Sequence, residues 1–324
     1  MLTVVTGGAG FLGSHLVDTL IARGDEVVLV DNLSSGSLQN VDEALRSGRA
    51  AFVYLDVAQP LSEIRGPIVK AAGSNPIGQI FHLASPASPE AYGAHPWETL
   101  CVNAVGTMAL VDLAIEQKAR LIYASTSEIY GDPLVHPQPE SYFGNVDPIG
   151  PRACYDEGKR FGEAALSVAV SRRGLDARIV RFFNCYGPRM SNADGRLIAA
   201  LSEAVVANLP LPIHGDGLQT RSMTFVDDAI RLLLIVAGTP QSTLAPVNIG
   251  SDQEQTVLEI AQTFAQVAGV PFSVEHVPPR PGDPRRRRPD LTRARSLGYT
   301  PQTTLSKGLA KTLAWQRDSS GVYV

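Results

Sequence analysis

The chain has 324 residues, 44% apolar and 19% charged, which suits a soluble globular protein with a large core and room for two lobes. Its 28 Lys and Arg against 32 Asp and Glu leave a net charge of −4, so no general attraction to nucleic acid or to an anionic membrane is expected. Cys101, Cys154 and Cys185 are too few for a disulfide framework, the six histidines are too scattered for a metal cluster, and no run of about 20 apolar residues reads as a bilayer span.

Leu2–Val5 reads as a buried strand, followed by a glycine-rich turn and a helical pattern from Phe11 to about Arg23. A strand that begins at Leu2 leaves no room for a signal peptide, and the expected setting is a reducing cytoplasm. A second strand, Glu26–Val30, ends at Asp31. Ala51–Leu55, Gln79–Leu83, Arg120–Ala124 and Ala177–Phe182 are further apolar strands, separated by helical stretches near Leu61–Ala72, Trp97–Gln117 and Tyr155–Arg173. This alternation predicts an α/β fold with a doubly wound parallel sheet of Rossmann type and right-handed crossovers.

After Asn184 the rhythm changes. Short strands (Leu211–His214, Pro246–Ile249, Phe272–Glu275) mix with helices and turns, and Pro278–Pro289 reads as a proline- and arginine-rich loop. The expected division is a dinucleotide-binding domain over 1–183, to which 222–250 returns. A smaller mixed α/β substrate lobe, 184–221 and 251–318, lies over the carboxyl edge of the sheet, and 319–324 is a tail. Within the basic run Arg285–Arg288, flanked by Asp283 and Asp290, the alternatives are a solvated loop and a local anion site.

The first turn reads Thr6-Gly-Gly-Ala-Gly-Phe-Leu-Gly13. Glycines at 7, 10 and 13 allow a tight turn, close approach to a pyrophosphate and close helix packing. The helix that follows presents unpaired N–H groups and the positive end of its dipole. Asp31, at the end of the next strand, can accept ribose hydroxyls and would repel a 2′-phosphate, so NAD is expected rather than NADP. Asp56 and Val57 follow the third strand, either beside an adenine or as a plain strand end.

Tyr155 and Lys159 are four apart and share one face of a helix. A free phenol has a pKa of about 10, so a general base here needs its pKa lowered by roughly three units; Lys159 and a positive nicotinamide are the expected sources. Thr126, directly after an apolar strand, is placed to hydrogen-bond the oxygen being oxidised, and Ser127 adds a donor. Glu128 is a carboxylate at the end of a buried strand and needs a partner or a function.

The glycine turn, Thr126, Tyr155 and Lys159 together resemble the nucleotide-sugar branch of the extended short-chain dehydrogenase/reductase superfamily. The likeness continues through His82–Ser88, Asn103, Asn184–Met190, Gln219–Arg221 and Arg287–Asp290, and covers about residues 1–316. More narrowly, Asn145–Arg160 is similar to the long signature of UDP-glucuronate decarboxylases. The resemblance implies oxidation at C4 of the sugar by NAD⁺, with Tyr155 as base and Thr126 orienting the oxygen. Loss of the C5 carboxylate as CO₂, protonation at C5 and return of the hydride then give UDP-xylose.

The resemblance also implies the contacts. Beside Gly7, Gly10 and Gly13, the cofactor would meet Phe11, Leu12, Asp31, Asn32, Asp56 and Val57. Further along the chain it would meet Leu83, Ala84, Ser85, Asn103, Tyr155 and Lys159. Glu128 and Arg221 would be the pair specific to decarboxylation, Arg221 holding the carboxylate or assisting protonation and Glu128 positioning the sugar or relaying a proton. Pro86, Ser88 and Ser127 would border the sugar, with Ser88 otherwise a turn cap. Asn184, Arg189, Gln219 and Arg287 would meet the diphosphate, with Arg189 otherwise a structural turn arginine.

Glu98 stands where the decarboxylases carry a lysine, and residues 191–221 follow the family more loosely. Release of the 4-keto intermediate remains open. The rival activities are a 4,6-dehydratase, which would place Asp where Ser127 stands, and a 4-epimerase, which would not need Glu128; a non-catalytic NAD-binding protein is a third reading. Helices Trp97–Gln117 and Tyr155–Arg173 carry small and apolar outer faces, and relatives pair such helices in a homodimer.

Overall fold

The computed structural model describes residues 1–191, 194–240, 244–280 and 282–320. In chain order the first lobe contains β1 (Leu2–Thr6), α1 (Phe11–Ala22), β2 (Glu26–Asp31), α2 (Asp42–Arg46), β3 (Ala50–Tyr54) and α3 (Leu61–Ala72). There follow β4 (Ile77–His82), α4 (Pro89–Ala94), α5 (Pro96–Cys101), α6 (Thr107–Gln117), β5 (Arg120–Thr126), α7 (Ala153–Arg173) and β6 (Ala177–Phe182).

These strands form one seven-stranded sheet in the order β3-β2-β1-β4-β5-β6, completed by Val247–Ile249. Every pairing in it is parallel. The strands are apolar on both faces because both faces are covered. Val5, Leu29, Phe81, Ile122 and Val180 join one buried cluster with Leu16 and Leu20 of α1. Val4, Val28, Ile80, Leu121 and Ile179 join the other with Ile64, Ile68 and Leu110. β1 has β2 on one side and β4 on the other. This is where the strand order reverses, and the crevice at the carboxyl ends of the strands opens there.

The second lobe is built from short pieces. Thr220–Ser222 pairs antiparallel with Glu254–Thr256 and parallel with Arg286–Arg287, and Leu211–His214 pairs parallel with Val274–Val277. Helices Leu197–Val206, Val257–Ala268 and Leu305–Ser320 pack around them. Helix Val226–Ala237 lies against β6, and Val247–Ile249 pairs with β6.

Four expectations need correcting. The strand sought at Phe272–Glu275 lies two residues later, at Val274–Val277, where it can pair with Leu211–His214. The Pro278–Pro289 loop contains a strand, Arg286–Arg287, whose pairing with Thr220 and Arg221 no local pattern reveals. The last helix runs through Ser320, so the tail begins later than 319; residues 321–324 lie outside the described residues.

Finally, the continuous helical run Pro96–Gln117, which includes a π turn at Val102–Gly106, spans 22 residues and is long and apolar enough to cross a bilayer by those criteria alone. More than half of its most apolar stretch is buried inside the protein. It is a core helix against α3, α7 and the sheet, with Trp97, Leu100 and Met108 left on its outer side.

Candidate active site

A cleft of about 770 Å³ runs along the carboxyl ends of the strands and is roofed by the second lobe. At its first end β1 turns sharply through Gly7, whose φ is +70°; a Cβ there would lie 2.8 Å from the Ala84 nitrogen. A Cβ on Gly13 would lie 2.0 Å from the Gly7 carbonyl oxygen. Glycine at these two positions lets turn, helix and sheet come together. α1 starts at Phe11 behind Gly10, with no side-chain cap and no acid in its first turn, so its leading N–H groups face an anion site.

Asp31 ties this turn to the end of β2. Its Oδ2 accepts from the Ala9 N–H at 3.0 Å and its Oδ1 from the Leu33 N–H at 2.7 Å. Burial pushes its carboxyl pKa upward, against those two bonds. Phe11, Leu12, Asn32, Val57, Leu83, Ala84 and Ser85 line the same end of the cleft. Asp56 also lines it, and its Oδ1 caps the turn by accepting from the Ala58 N–H. A glycine cradle, open helix amides and a carboxylate at the end of β2 suit a dinucleotide.

Asn103 differs from the rest. It lies in the π turn, fully buried and behind the cleft wall, and donates from Nδ2 to Ser85 Oγ and to the Thr99 carbonyl. It holds Ser85 in place instead of facing the cleft.

Further along, Thr126 closes β5. Its Oγ1 accepts from the Glu128 N–H. Tyr155 is buried, and burial raises its pKa; the neighbouring Thr126 hydroxyl works in the other direction. Lys159 follows one helical turn later. Its ammonium donates to the Ala124 carbonyl at 2.9 Å and sits 5.8 Å from the Tyr155 ring centre. Burial brings its pKa down to about 7. In the protein alone, desolvation is the largest influence on both side chains.

Tyr92 of α4 was not anticipated. Its ring lies parallel to that of Tyr155, with centroids 5.2 Å apart and planes 8° apart. The missed signal was Ser88-Pro89, a cap and first-turn proline that start α4; Ser88 Oγ accepts from the Ala91 N–H. Ser88 thus serves as a helix cap while lining the cleft, as do Pro86 and Ser127 without a cap role.

Beyond Tyr155 lies a cluster of arginines and acids. Glu128 receives Arg287 on both oxygens (2.5 and 3.0 Å) and Arg152 on Oε2 (2.5 Å). Burial alone would raise its pKa, but the two guanidiniums outweigh that and hold it at about 2. Arg221 donates to Asp283 Oδ2 at 2.6 Å and to its own neighbour's carbonyl, Thr220 O. Arg152 lies 3.6 Å from Asp283 Oδ1. Asp156 is buried beside this cluster; burial first, and the Glu128 charge second, raise its pKa to about 8. Three guanidiniums thus face the two carboxylates of Glu128 and Asp283, a formal surplus of one positive charge. Arg152 and Asp283 were not among the expected site residues, although Arg152 lies inside the Asn145–Arg160 signature and Asp283 flanks the basic run.

The residues expected at a diphosphate are spread along the roof. Asn184 Oδ1 and Gln219 Oε1 are buried and have no hydrogen-bond partner in the protein, while Gln219 Nε2 donates to the His214 carbonyl. Arg189, at φ +66°, pairs with Asp18 of α1. Arg287 is engaged by Glu128, whereas Arg285 is exposed and paired with Asp216, so the basic run divides into a site residue and a solvated one. Two further arginines, Arg196 on Asp194 and Arg280 on Glu90, also line the cleft.

Residues 3–250 match the model of the NAD dependent epimerase/dehydratase family. The chain belongs to this family. Over 309 residues it is 41% identical to UDP-glucuronic acid decarboxylase 1 of Arabidopsis thaliana, covering 95% of this chain and 68% of that one. Among solved structures it resembles a Thermotoga maritima UDP-glucose 4-epimerase with UDP-glucose (TM-score 0.88, 30% identity, 99% of this chain and 100% of that one). It also resembles a Bacillus cereus UDP-glucuronic acid 4-epimerase in complex with UDP-glucuronic acid and NAD (TM-score 0.85, 26% identity, 98% and 100%). These relatives differ in the reaction that their names carry: decarboxylation in the first, epimerisation at C4 in the other two.

Proposed function

We propose that the protein is an NAD-dependent carboxy-lyase that converts UDP-glucuronate to UDP-xylose. The observation that carries this reading is the cluster of Arg152, Arg221 and Arg287 around Glu128, in the same cleft as Tyr155 and Thr126. It sets a surplus positive charge where a carboxylated sugar can reach it. The relationship to the decarboxylases supports the same substrate and outcome.

The glycine cradle, the α1 amides and Asp31 would hold NAD, which when bound supplies reversible two-electron acceptance at C4 of the sugar. Thr126 and Tyr155 act at the C4 hydroxyl: Thr126 orients the oxygen, and Tyr155 takes its proton and later gives it back. Lys159, held by the Ala124 carbonyl, keeps a donor beside this pair. Arg152, Arg221 and Arg287 orient the carboxylate so that the C5–C6 bond can break with its electron pair passing to the adjacent C4 ketone as an enolate, which is then protonated at C5. Asn184 and Gln219 line the part of the cleft where the nucleotide portion would lie.

Incubation with NAD⁺ and UDP-glucuronate, followed by CO₂ release and product mass, tests the reading. CO₂ together with a UDP-pentose is expected; a UDP-hexuronate epimer without CO₂ would replace the decarboxylase reading with an epimerase. The same mass spectrum separates UDP-xylose from released 4-keto product.

We also propose a homodimer formed through α5–α7. Trp97, Met108, Phe161 and Val168 leave apolar side chains exposed on these helices, and a patch of this kind calls for a partner surface. Light scattering should give twice the chain mass; a monomer across concentrations overturns it.

A further inference from the structure

We propose that Asp283 is a positioning residue that shares Arg152 and Arg221 with the carboxylate of the sugar, keeping those guanidiniums from over-stabilising the group that must leave. The proposal rests on the decarboxylase reading above and goes beyond it, because Asp283 touches neither Tyr155 nor Thr126 and belongs to the second lobe.

The geometry is specific. Asp283 Oδ2 accepts from Arg221 Nη2 at 2.6 Å, and Oδ1 faces Arg152 Nη1 at 3.6 Å. Arg221 is buried, with Nη1 committed to the Thr220 carbonyl. Arg152 is held on its other side by Glu128, and its Nε is buried without a partner. The backbone at Gly282, at φ +69°, passes so close to Arg152 that a Cβ would lie 3.3 Å from Arg152 Cδ. Asp283 is therefore brought to both guanidiniums by a turn that glycine makes possible. All three side chains line the cleft.

The chemistry gives this arrangement a consequence. When the C5–C6 bond breaks, its electron pair moves into the enolate built on the C4 ketone, and CO₂ leaves without charge. Negative charge thus disappears from the arginine side and appears at O4. Guanidiniums that grip only the substrate carboxylate stabilise the ground state more than the transition state and slow this step. With Asp283 present, Arg221 and Arg152 divide their attraction between two carboxylates. Once CO₂ has gone, Asp283 alone satisfies the buried Arg221, which would otherwise remain as an unpaired charge.

The test uses the full-length protein carrying D283N, with D283E beside it. Binding is measured by calorimetry in a Y155F background, which does not turn over, with UDP-glucuronate and with UDP-glucose. D283N is expected to bind UDP-glucuronate about fivefold more tightly and UDP-glucose within about twofold of the parent. In the Tyr155 enzyme, D283N should lower KM for UDP-glucuronate and also lower kcat for CO₂ release by about fivefold. D283E, which restores the charge, should return both within about twofold of wild type.

Unchanged affinity in D283N, equal tightening on both sugars, an unchanged kcat, or D283E behaving like D283N overturns the proposal. If D283N does not fold, D283E decides alone: a loss of the wild-type preference between the two sugars overturns it, and retention supports it. Absence of CO₂ from the wild type would remove the decarboxylase reading instead, and the two-sugar affinity ratio would still decide whether Asp283 competes with a carboxylate.

Discussion

Tyr92 and Tyr155 lie face to face, their ring centroids 5.2 Å apart and their planes 8° from parallel. The Arg152 guanidinium covers Tyr92 at 5.9 Å from its centroid, so the phenol at 155 is part of a layered stack that ends on the Glu128 clamp. The stack fixes the Tyr155 ring plane. Tyr92→Phe keeps it and is expected to retain kcat within about twofold, whereas Tyr92→Leu removes an aromatic partner worth about 1 kcal/mol and should lower kcat about tenfold with a smaller effect on KM. Steady-state kinetics of CO₂ release on both variants reads the difference.

Glu128→Gln leaves Arg152 and Arg287 facing a neutral amide. Breaking one partner of a buried ion pair should cost about 3 kcal/mol of stability, seen as a lowered midpoint in urea unfolding. The pH dependence has a definite sign. The folded pKa of about 2 lies below the unfolded value of 4.5, so this contribution is fully present above about pH 4.5 and is lost as pH falls toward 2. The gap between wild type and variant should therefore narrow in acid; a gap constant from pH 7 to 3 would count against the clamp.

The Lys159 ammonium instead costs stability, although stability again rises with pH. Its folded pKa of about 7 lies below the unfolded 10.5. The unfolded chain therefore binds a proton that the folded chain lacks between those values, and stability rises with pH across that window. Lys159→Met should abolish turnover yet raise the melting temperature. The gain should be largest at or below about pH 7 and shrink as pH rises toward 10.5. Melting scans over that range check it.

The cofactor end makes two further claims. Gly13→Ala places a methyl 2.0 Å from the Gly7 carbonyl oxygen, against backbone that cannot yield, and should destroy NAD binding together with much of the stability. Asp31→Asn keeps a side-chain acceptor for one of the Ala9 and Leu33 amides but removes the charge. It should weaken NAD and narrow the preference for NAD over NADP, as read by fluorescence titration with both. An unchanged preference would show that discrimination lies elsewhere.

Much of this was legible in local sequence. The alternation of apolar runs with helical stretches specifies a parallel sheet because strands buried on both faces have no polar face to show. Thr6–Gly13 and Asp31 announce the dinucleotide end, since their requirements are backbone requirements met within a few residues. Thr126, Tyr155 and Lys159 were legible for the same reason: each sits at a strand end or one helical turn from its neighbour.

What only the tertiary structure decided is where charges meet. Glu128 and Arg287 are 159 residues apart in the chain and 2.5 Å apart in space; Arg221 and Asp283 are 62 apart and 2.6 Å apart. No period or spacing encodes such pairs, because they depend on how the second lobe closes over the first. Burial is likewise a property of the whole fold. It lifts the Tyr155 pKa, lowers that of Lys159 and puts Asn103 behind the wall instead of at it. The sequence by itself determined that a dinucleotide and a phenol share one cleft; the packing of the two lobes determined which arginines and acids surround the carbon that loses its carboxylate.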